Sequence, residues 1–292
     1  MTSYRFKQVD VFTNRLFSGN PVAVVLGADD IDAEKMQRIA AWTNLSETTF
    51  VMRPSDPSAD YRLRIFTPMN ELPFAGHPTI GSAHAALESG FLPADAVSLT
   101  QECGAGLLPL TVEGQGAERR IFVRAPEAKV AADHAAAVET ISSALGAAVI
   151  ASPAPMAMDV GPVWLIAQIG DSAALERLRP DMAAVSTLSG DLGVIGVTAF
   201  ALVAEGDEAL HLRTLAPAAG VPEDPACGSC NAALGAYLAK TGLLSETGDE
   251  YVASQGRELG RAGRIFVRVH DEGRDVQIGG HSVTAIDGEI SV

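Results

Sequence analysis

The sequence predicts an α+β protein made of two pseudo-symmetric domains, each mostly antiparallel sheet. Three observations carry this. Short alternating or β-branched runs bounded by turn residues dominate: "YRLRIF", "RRIFVR", "GRIFVRV" and "RDVQIGG". Several segments recur in the same order, offset by roughly half the chain. Each half also holds a glycine turn that feeds straight into an Ala/Leu-rich helical run: "ELPFAGHPTIGSAHAAL" (71–87) and "PEDPACGSCNAALGAYL" (222–238).

In chain order, "MTSYRFKQVDVF" alternates as a strand and lacks the apolar core of a signal peptide. No apolar run is long enough to span a bilayer, so a cytoplasmic protein without membrane contact is expected. The strand "GNPVAVVL" (19–26) is echoed by "GPVWLIAQI" (161–169). "DAEKMQRIAAWT" reads as a helix with Asp32 as N-cap and Met36, Ile39 and Ala40 on one face. "ETTFVMRPSDPSADYRLRIFTP" (47–68) parallels "VTAFALVAEGDEALHLRTLAP" (197–217): a T-x-F strand, a polar turn, then a strand with an arginine. The helices "HPTIGSAHAALESG" and "SCNAALGAYLAKTG" each end at a glycine suited to a C-cap.

"RRIFVRAP" (119–126) matches "GRIFVRVH" (263–270), and "PEAKVAADHA" (126–135) looks like the crossing between copies. "HAAAVETISSALG" (134–146) is read as a helix whose first-half counterpart is "DAEKMQRIAAW". The final strand "SVTAIDGEI" follows a second copy that has already closed, and is free to return to the first. The expected domains are therefore 1–125 plus 282–292, and 126–281.

A chain of 292 residues with 47% apolar and 20% charged residues is globular, with enough length for two cores. Its net charge is −15 with no basic stripe, which argues against nucleic acid as a partner. Three cysteines, Cys103, Cys227 and Cys230, do not make a disulfide framework. Cys227 and Cys230 have C-x-x-C spacing but no second Cys/His pair to complete a zinc site, so no metal is expected.

Amides at a helix start are unpaired and lie at the positive end of the dipole, so both glycine turns are ready anion cradles. Facing each other across a cleft, they would grip a carboxylate or the charge that develops beside one. Glu47, in "NLSETTFV", lies among apolar residues that would raise its pKa into acid/base range. His77 follows Gly76 at a helix mouth and can donate a hydrogen bond or relay a proton, or simply cap the helix. Asp224 precedes Pro225 in the matching turn, where it can hold a substrate group or form an Asx-turn.

The set "VDVFTNRLFSGNPVAVV", "NLSETTFV", "FTPMNELPFAGHPTIGSAHAAL", "APAAGVPEDPACGSCNAALGAYL", "SQGRELGRAGRIFVRV" and "VQIGGHSVTAIDGEI" resembles, along essentially the whole chain, the PhzF-like family of the diaminopimelate epimerase superfamily. The resemblance implies two similar domains, each a sheet wrapped around a central helix, with the active site between them and the last strand returning to the first domain. It also implies a homodimer that uses no cofactor or metal, and a proton-shifting isomerisation of a small carboxylate-bearing, amino-acid-like metabolite. By the same resemblance Glu47 moves the proton, with His77 and Asp224 as catalytic partners. Ser46, Gly76, Cys227, Gly228 and Ser229 would bind substrate.

Superfamily racemases use one thiol in each turn, whereas this chain has Ala75 and Cys227. That leaves an alternative: an epimerase or racemase using Cys227, near a helix N-terminus that favours thiolate, with Glu47. The plainer view is that Cys227 is a small residue standing where relatives carry threonine. A non-catalytic homodimeric binding protein is the remaining alternative.

Overall fold

The computed structural model describes residues 2–292. Eighteen strands and seven α-helices are found among them. They begin β1 (Ser3–Val11), β2 (Asn20–Leu26), α1 (Ala33–Thr43), β3 (Thr48–Met52), β4 (Tyr61–Phe66), β5 (Glu71–Leu72) and α2 (Gly76–Glu88). Next come β6 (Ser98–Cys103), β7 (Gly106–Glu113), β8 (Arg120–Arg124), β9 (Lys129–Asp133), α3 (Val138–Leu145), β10 (Met156–Asp159) and β11 (Val163–Gln168). Then follow α4 (Ser172–Glu176), α5 (Met182–Leu192), β12 (Gly196–Leu202), β13 (Leu210–Ala216), β14 (Val221–Asp224) and α6 (Gly228–Thr241). The chain finishes with α7 (Leu244–Thr247), β15 (Glu250–Gln255), β16 (Gly263–His270), β17 (Asp275–Gly280) and β18 (Ser282–Ser291). The chain divides into two compact units, 1–124 with 279–292, and 125–278. No described helix is long and apolar enough to cross a membrane.

In the first unit β1 lies between β18 and β2, both antiparallel to it. β2 pairs parallel with β3, β3 antiparallel with β4, and β4 parallel with β6. β6, β7 and β8 then form an antiparallel run. The second unit repeats the order. β10 lies between β9 and β11, β11 pairs parallel with β12, β12 antiparallel with β13, and β13 parallel with β15. One strand differs in origin: the flank of β1 is supplied by the C-terminal β18, that of β10 by β9, which precedes it in sequence. Lys7 on β1, 2% exposed, ties β18 to α2 through Asp287 at 2.7 Å and Glu88 at 2.9 Å.

A helix apolar on every side belongs inside a core, not on a surface. α2 is buried from His77 to Leu87 and packs on β1, β2, β3, β8 and β18. Gly81 permits this approach, since a Cβ there would sit 2.5 Å from Val22 Cγ1. α6 is its second-unit counterpart, buried from Cys230 to Leu238. α1 is amphipathic instead; Met36 and Ala40 pack with Val25, Phe50 and Phe66, and Ile39 is only partly buried. Asp32 caps it by accepting from Lys35 N at 2.8 Å.

Three expectations are corrected. The helix expected over 134–146 is α-helical only from Val138, after a 3₁₀ turn at Ala135–Ala137. Nor is it the counterpart of α1. Where α1 joins β2 and β3, the connection between the parallel pair β11 and β12 holds α4 and α5, of which the 11-residue α5 matches α1 in length. Its start and stop are legible in "DMAAVSTLSGDLG": Asp181 accepts from Ala183 N and Ala184 N, and Gly193 ends it at φ +66°. Finally, "RRIFVR" and "GRIFVRV" are not equivalent strands. β16 pairs with β15 as β7 pairs with β6, so β7 is its counterpart. Both "IFVR" runs share the β-branched and aromatic composition of strands, which creates local similarity without common position; β16 alternates buried and partly exposed residues, whereas Ile121, Phe122 and Val123 of β8 are all buried.

Candidate active site

The unit of residues 1–124 holds the carboxylate. Asn44, in left-handed conformation at φ +54°, ends α1 and turns the chain toward β3. Glu47 enters the ladder there, its carbonyl accepting from Ala23 N at 3.3 Å. His77 is the second residue of α2. Its Nε2 lies 3.2 Å from Glu47 Oε2, with the two side chains 9% and 15% exposed. Burial pushes the Glu47 carboxyl up from 4.5 to about 7, against an opposing hydrogen bond from Ser46. A buried carboxyl beside an imidazole can therefore hold or release one proton near neutrality.

The turn ahead of α2 is set by Arg64 and Glu71, paired through two bonds of 2.7 Å. Ala75, at the N-cap, offers no side-chain acceptor. Pro78 has no N–H, so the amide donors at this helix start are confined to its first two positions, Gly76 and His77.

The unit of residues 125–278 holds the other predicted residues. Arg213 and Glu223 pair at 2.9 and 2.8 Å, the same bidentate clamp in the same topological place. Asp224 forms the Asx-turn, Oδ1 accepting from Ala226 N at 3.0 Å. Cys227 is the N-cap of α6, and its Sγ accepts from Cys230 N at 3.3 Å. Its own N–H donates to Gln255 Oε1 at 3.1 Å. The amides of Gly228 and Ser229 are the two left at this helix start. One unit removes the third amide with proline and the other with a sulfur cap.

Cys227 departs from the expectation of a thiolate. Its interaction with the Cys230 thiol, then burial, push its own thiol well above the ordinary range. The two amides that would favour thiolate do not meet the sulfur; only the third does. Glu47 has no second-unit counterpart. Taking Arg64 and Arg213 as equivalents, the pairs Thr49–Ile65 and Thr198–Thr214 correspond, one residue off the T-x-F match, and Gly196 stands at the place of Glu47. A Cβ on Gly196 would lie 2.3 Å from Leu215 O, so no side chain fits there.

Sequence reasoning gave no role to Gln255, Trp164 or the two Arg–Glu clamps. Gln255 is fully buried; its Nε2 donates to Asp224 O at 2.8 Å and its Oε1 also accepts from Asn231 Nδ2 at 3.2 Å. One amide thus pins both ends of the Asp224–Cys227 turn. The signal was the adjacent Gly256, at φ +89°, where a Cβ would meet Pro225 O at 2.4 Å. Trp164 Nε1 donates to Ser229 Oγ at 3.0 Å. No cluster of three or more His, Cys, Asp or Glu able to hold a metal is found among the described residues.

A Schizosaccharomyces pombe protein named Antisense-enhancing sequence 1 is 40% identical over 99% of both chains. The Pseudomonas aeruginosa trans-2,3-dihydro-3-hydroxyanthranilate isomerase is 32% identical over 98% of both. The crystal structure of a Bacillus anthracis phenazine biosynthesis protein of the PhzF family, 28% identical, superposes with a TM-score of 0.87 over the full length of both chains. Residues 9–288 match the family model for phenazine biosynthesis-like proteins, PhzC-PhzF, and the chain belongs to that family of isomerases.

Proposed function

We propose that this isomerase moves a proton within a small, carboxylate-bearing, amino-acid-like metabolite without a cofactor, Glu47 serving as general acid/base. The observation that carries the reading is the Glu47 carboxyl, lifted by burial to about 7 and 3.2 Å from His77 Nε2. Glu47 takes a proton from a carbon of the substrate and returns it to another, so atoms balance and only double bonds move. His77 and Asp224 hold and polarise the substrate. The amides of Gly76, Gly228 and Ser229 stabilise the negative charge that develops beside its carboxylate. Ser46 and Cys227 line the binding residues without taking the proton.

A racemase that uses Cys227 as second base gains no support from a thiol held protonated, in a chain whose matching turn carries alanine. The Pseudomonas relative's substrate supplies the test. In D₂O with trans-2,3-dihydro-3-hydroxyanthranilate, the wild-type protein should isomerise the compound and place solvent deuterium on a ring carbon. Glu47→Gln should do neither while melting cooperatively with an unchanged circular dichroism spectrum. Near-normal turnover by that variant would sink the mechanism.

A further inference from the structure

Trp164, on β11, is 5% exposed and gives its indole proton to Ser229 Oγ at 3.0 Å. An indole N–H can only donate, so Ser229 must accept on this side. A hydroxyl has one proton, and Ser229 is left to direct it away from the indole. The neighbour in reach is Cys227 Sγ at 3.4 Å, a weak acceptor. A ligand oxygen would compete for that proton on favourable terms.

The surrounding backbone has the same polarity. The Gly228 and Ser229 amides open outward at the start of α6. Two nearby carbonyls are already taken: that of Cys227 by Asn231 Nδ2 at 2.8 Å, and that of Asp224 by Gln255. Beside Ser229 the backbone and the hydroxyl offer two N–H groups and one O–H, while the Asp224 carboxylate holds Ala226 N through Oδ1. The first unit has no such device. The ladders place Val22 where the second unit has Trp164, and His77 stands at the second helical position in place of Ser229.

We propose that Trp164 is a positioning residue which occupies one acceptor position of the Ser229 hydroxyl and turns its proton away from the indole, and so makes this turn favour a carboxylate over a carboxamide. The proposal rests on the reading that a small acid is the substrate, and adds the residue that enforces it. Without the indole proton the hydroxyl gains a second open acceptor position and is free to turn, so it meets an amide N–H more readily and discrimination falls. A hydrogen bond to a charged group is worth enough to change affinity by about tenfold or more.

The chain has two tryptophans, and Trp42 is 81% exposed on α1, so Trp42→Phe leaves Trp164 as the single indole reporter. The probes are anthranilate and 2-aminobenzamide, alike in shape but differing in the acid. Anthranilate should shift the Trp164 indole ¹H–¹⁵N resonance and bind at least about tenfold more tightly than the amide. Trp164→Phe should remove most of that preference by weakening anthranilate alone, and raise KM more than it lowers kcat. Ser229→Ala should have the same effect, and the double variant no more. Equal weakening of both probes, additive losses, or an indole resonance that anthranilate leaves unmoved would overturn the role. Should Trp164→Phe fail to fold, Ser229→Ala in the Trp42→Phe protein decides by the indole resonance and the probe preference. A protein that shows the preference yet isomerises no acid refutes the proposed role of Glu47 alone. Turnover that depends on Glu47 beside an indifferent Trp164 refutes the role of Trp164 alone.

Discussion

His77 Nε2 and Glu47 Oε2 stand 3.2 Å apart at the junction of a helix start and a strand start, two residues with 29 others between them in sequence. The contact puts a titrating carboxyl and an imidazole inside the protein, where neither is well solvated. Charge on Glu47 is therefore costly in the folded chain, and that cost has a measurable consequence.

A carboxyl raised from 4.5 to about 7 binds its proton more tightly in the folded chain than in the unfolded one. Its stabilising contribution is full below pH 4.5 and is lost as pH rises through about 7. The loss amounts to roughly 3 kcal/mol at most. Urea denaturation of wild type and Glu47→Gln should show this directly. The wild type should lose stability relative to the variant between pH 4.5 and pH 8, leaving the variant the more stable above neutrality. Parallel curves would mean that Glu47 titrates as it does in water. In the same window kcat/KM should climb to a plateau, because the base must begin as carboxylate.

Cys227 gives an opposite expectation. Its sulfur caps α6 and its thiol pKa is pushed up, so the proposed mechanism gives it no part as a base. Cys227→Ser keeps a capping oxygen and should retain activity within a few fold. Cys227→Ala removes the cap and should lose about 1 kcal/mol of stability. Loss of turnover in the serine variant, with stability intact, would revive the thiol as a proton donor.

The scaffold was legible in the sequence where local chemistry repeats. The Asp32 cap, the glycine turns before α2 and α6 and the T-x-F strands were all visible, because caps, turns and alternation are short-range signals. What escaped is long-range. Arg213 and Glu223 are far enough apart that only the 3₁₀ turn at Pro217–Ala219 and the return of β14 along β13 bring them together. Gln255 reaches Asp224 across 31 residues. "HAAAVETISSALG" has a helical composition, so nothing local showed that α5, not α3, sits in the α1 position. Glu47 and His77 could be singled out individually, but their 3.2 Å approach is a property of packing α2 inside the sheet.

The two Arg–Glu clamps share geometry and differ in burial, which separates their expected worth. Arg213 and Glu223 are each 7% exposed, and Arg213 Nη1 also donates to the carbonyls of Leu175 at 3.3 Å and Leu178 at 3.2 Å. Arg64 and Glu71 are 21% and 42% exposed. Breaking a buried pair strands its partner charge without water, at about 3–5 kcal/mol, whereas an exposed pair is worth about 1 kcal/mol or less. Arg213→Met should therefore destabilise the protein severalfold more than Arg64→Met in urea denaturation. Adding Glu223→Leu to Arg213→Met should recover much of the loss, since the stranded carboxylate is its main source. If the double variant were no better than the single, the lost bonds to Leu175 and Leu178 would be the main source of the destabilisation. Equal losses from the two arginines would instead mean that the Arg213 clamp is well hydrated, contrary to its burial.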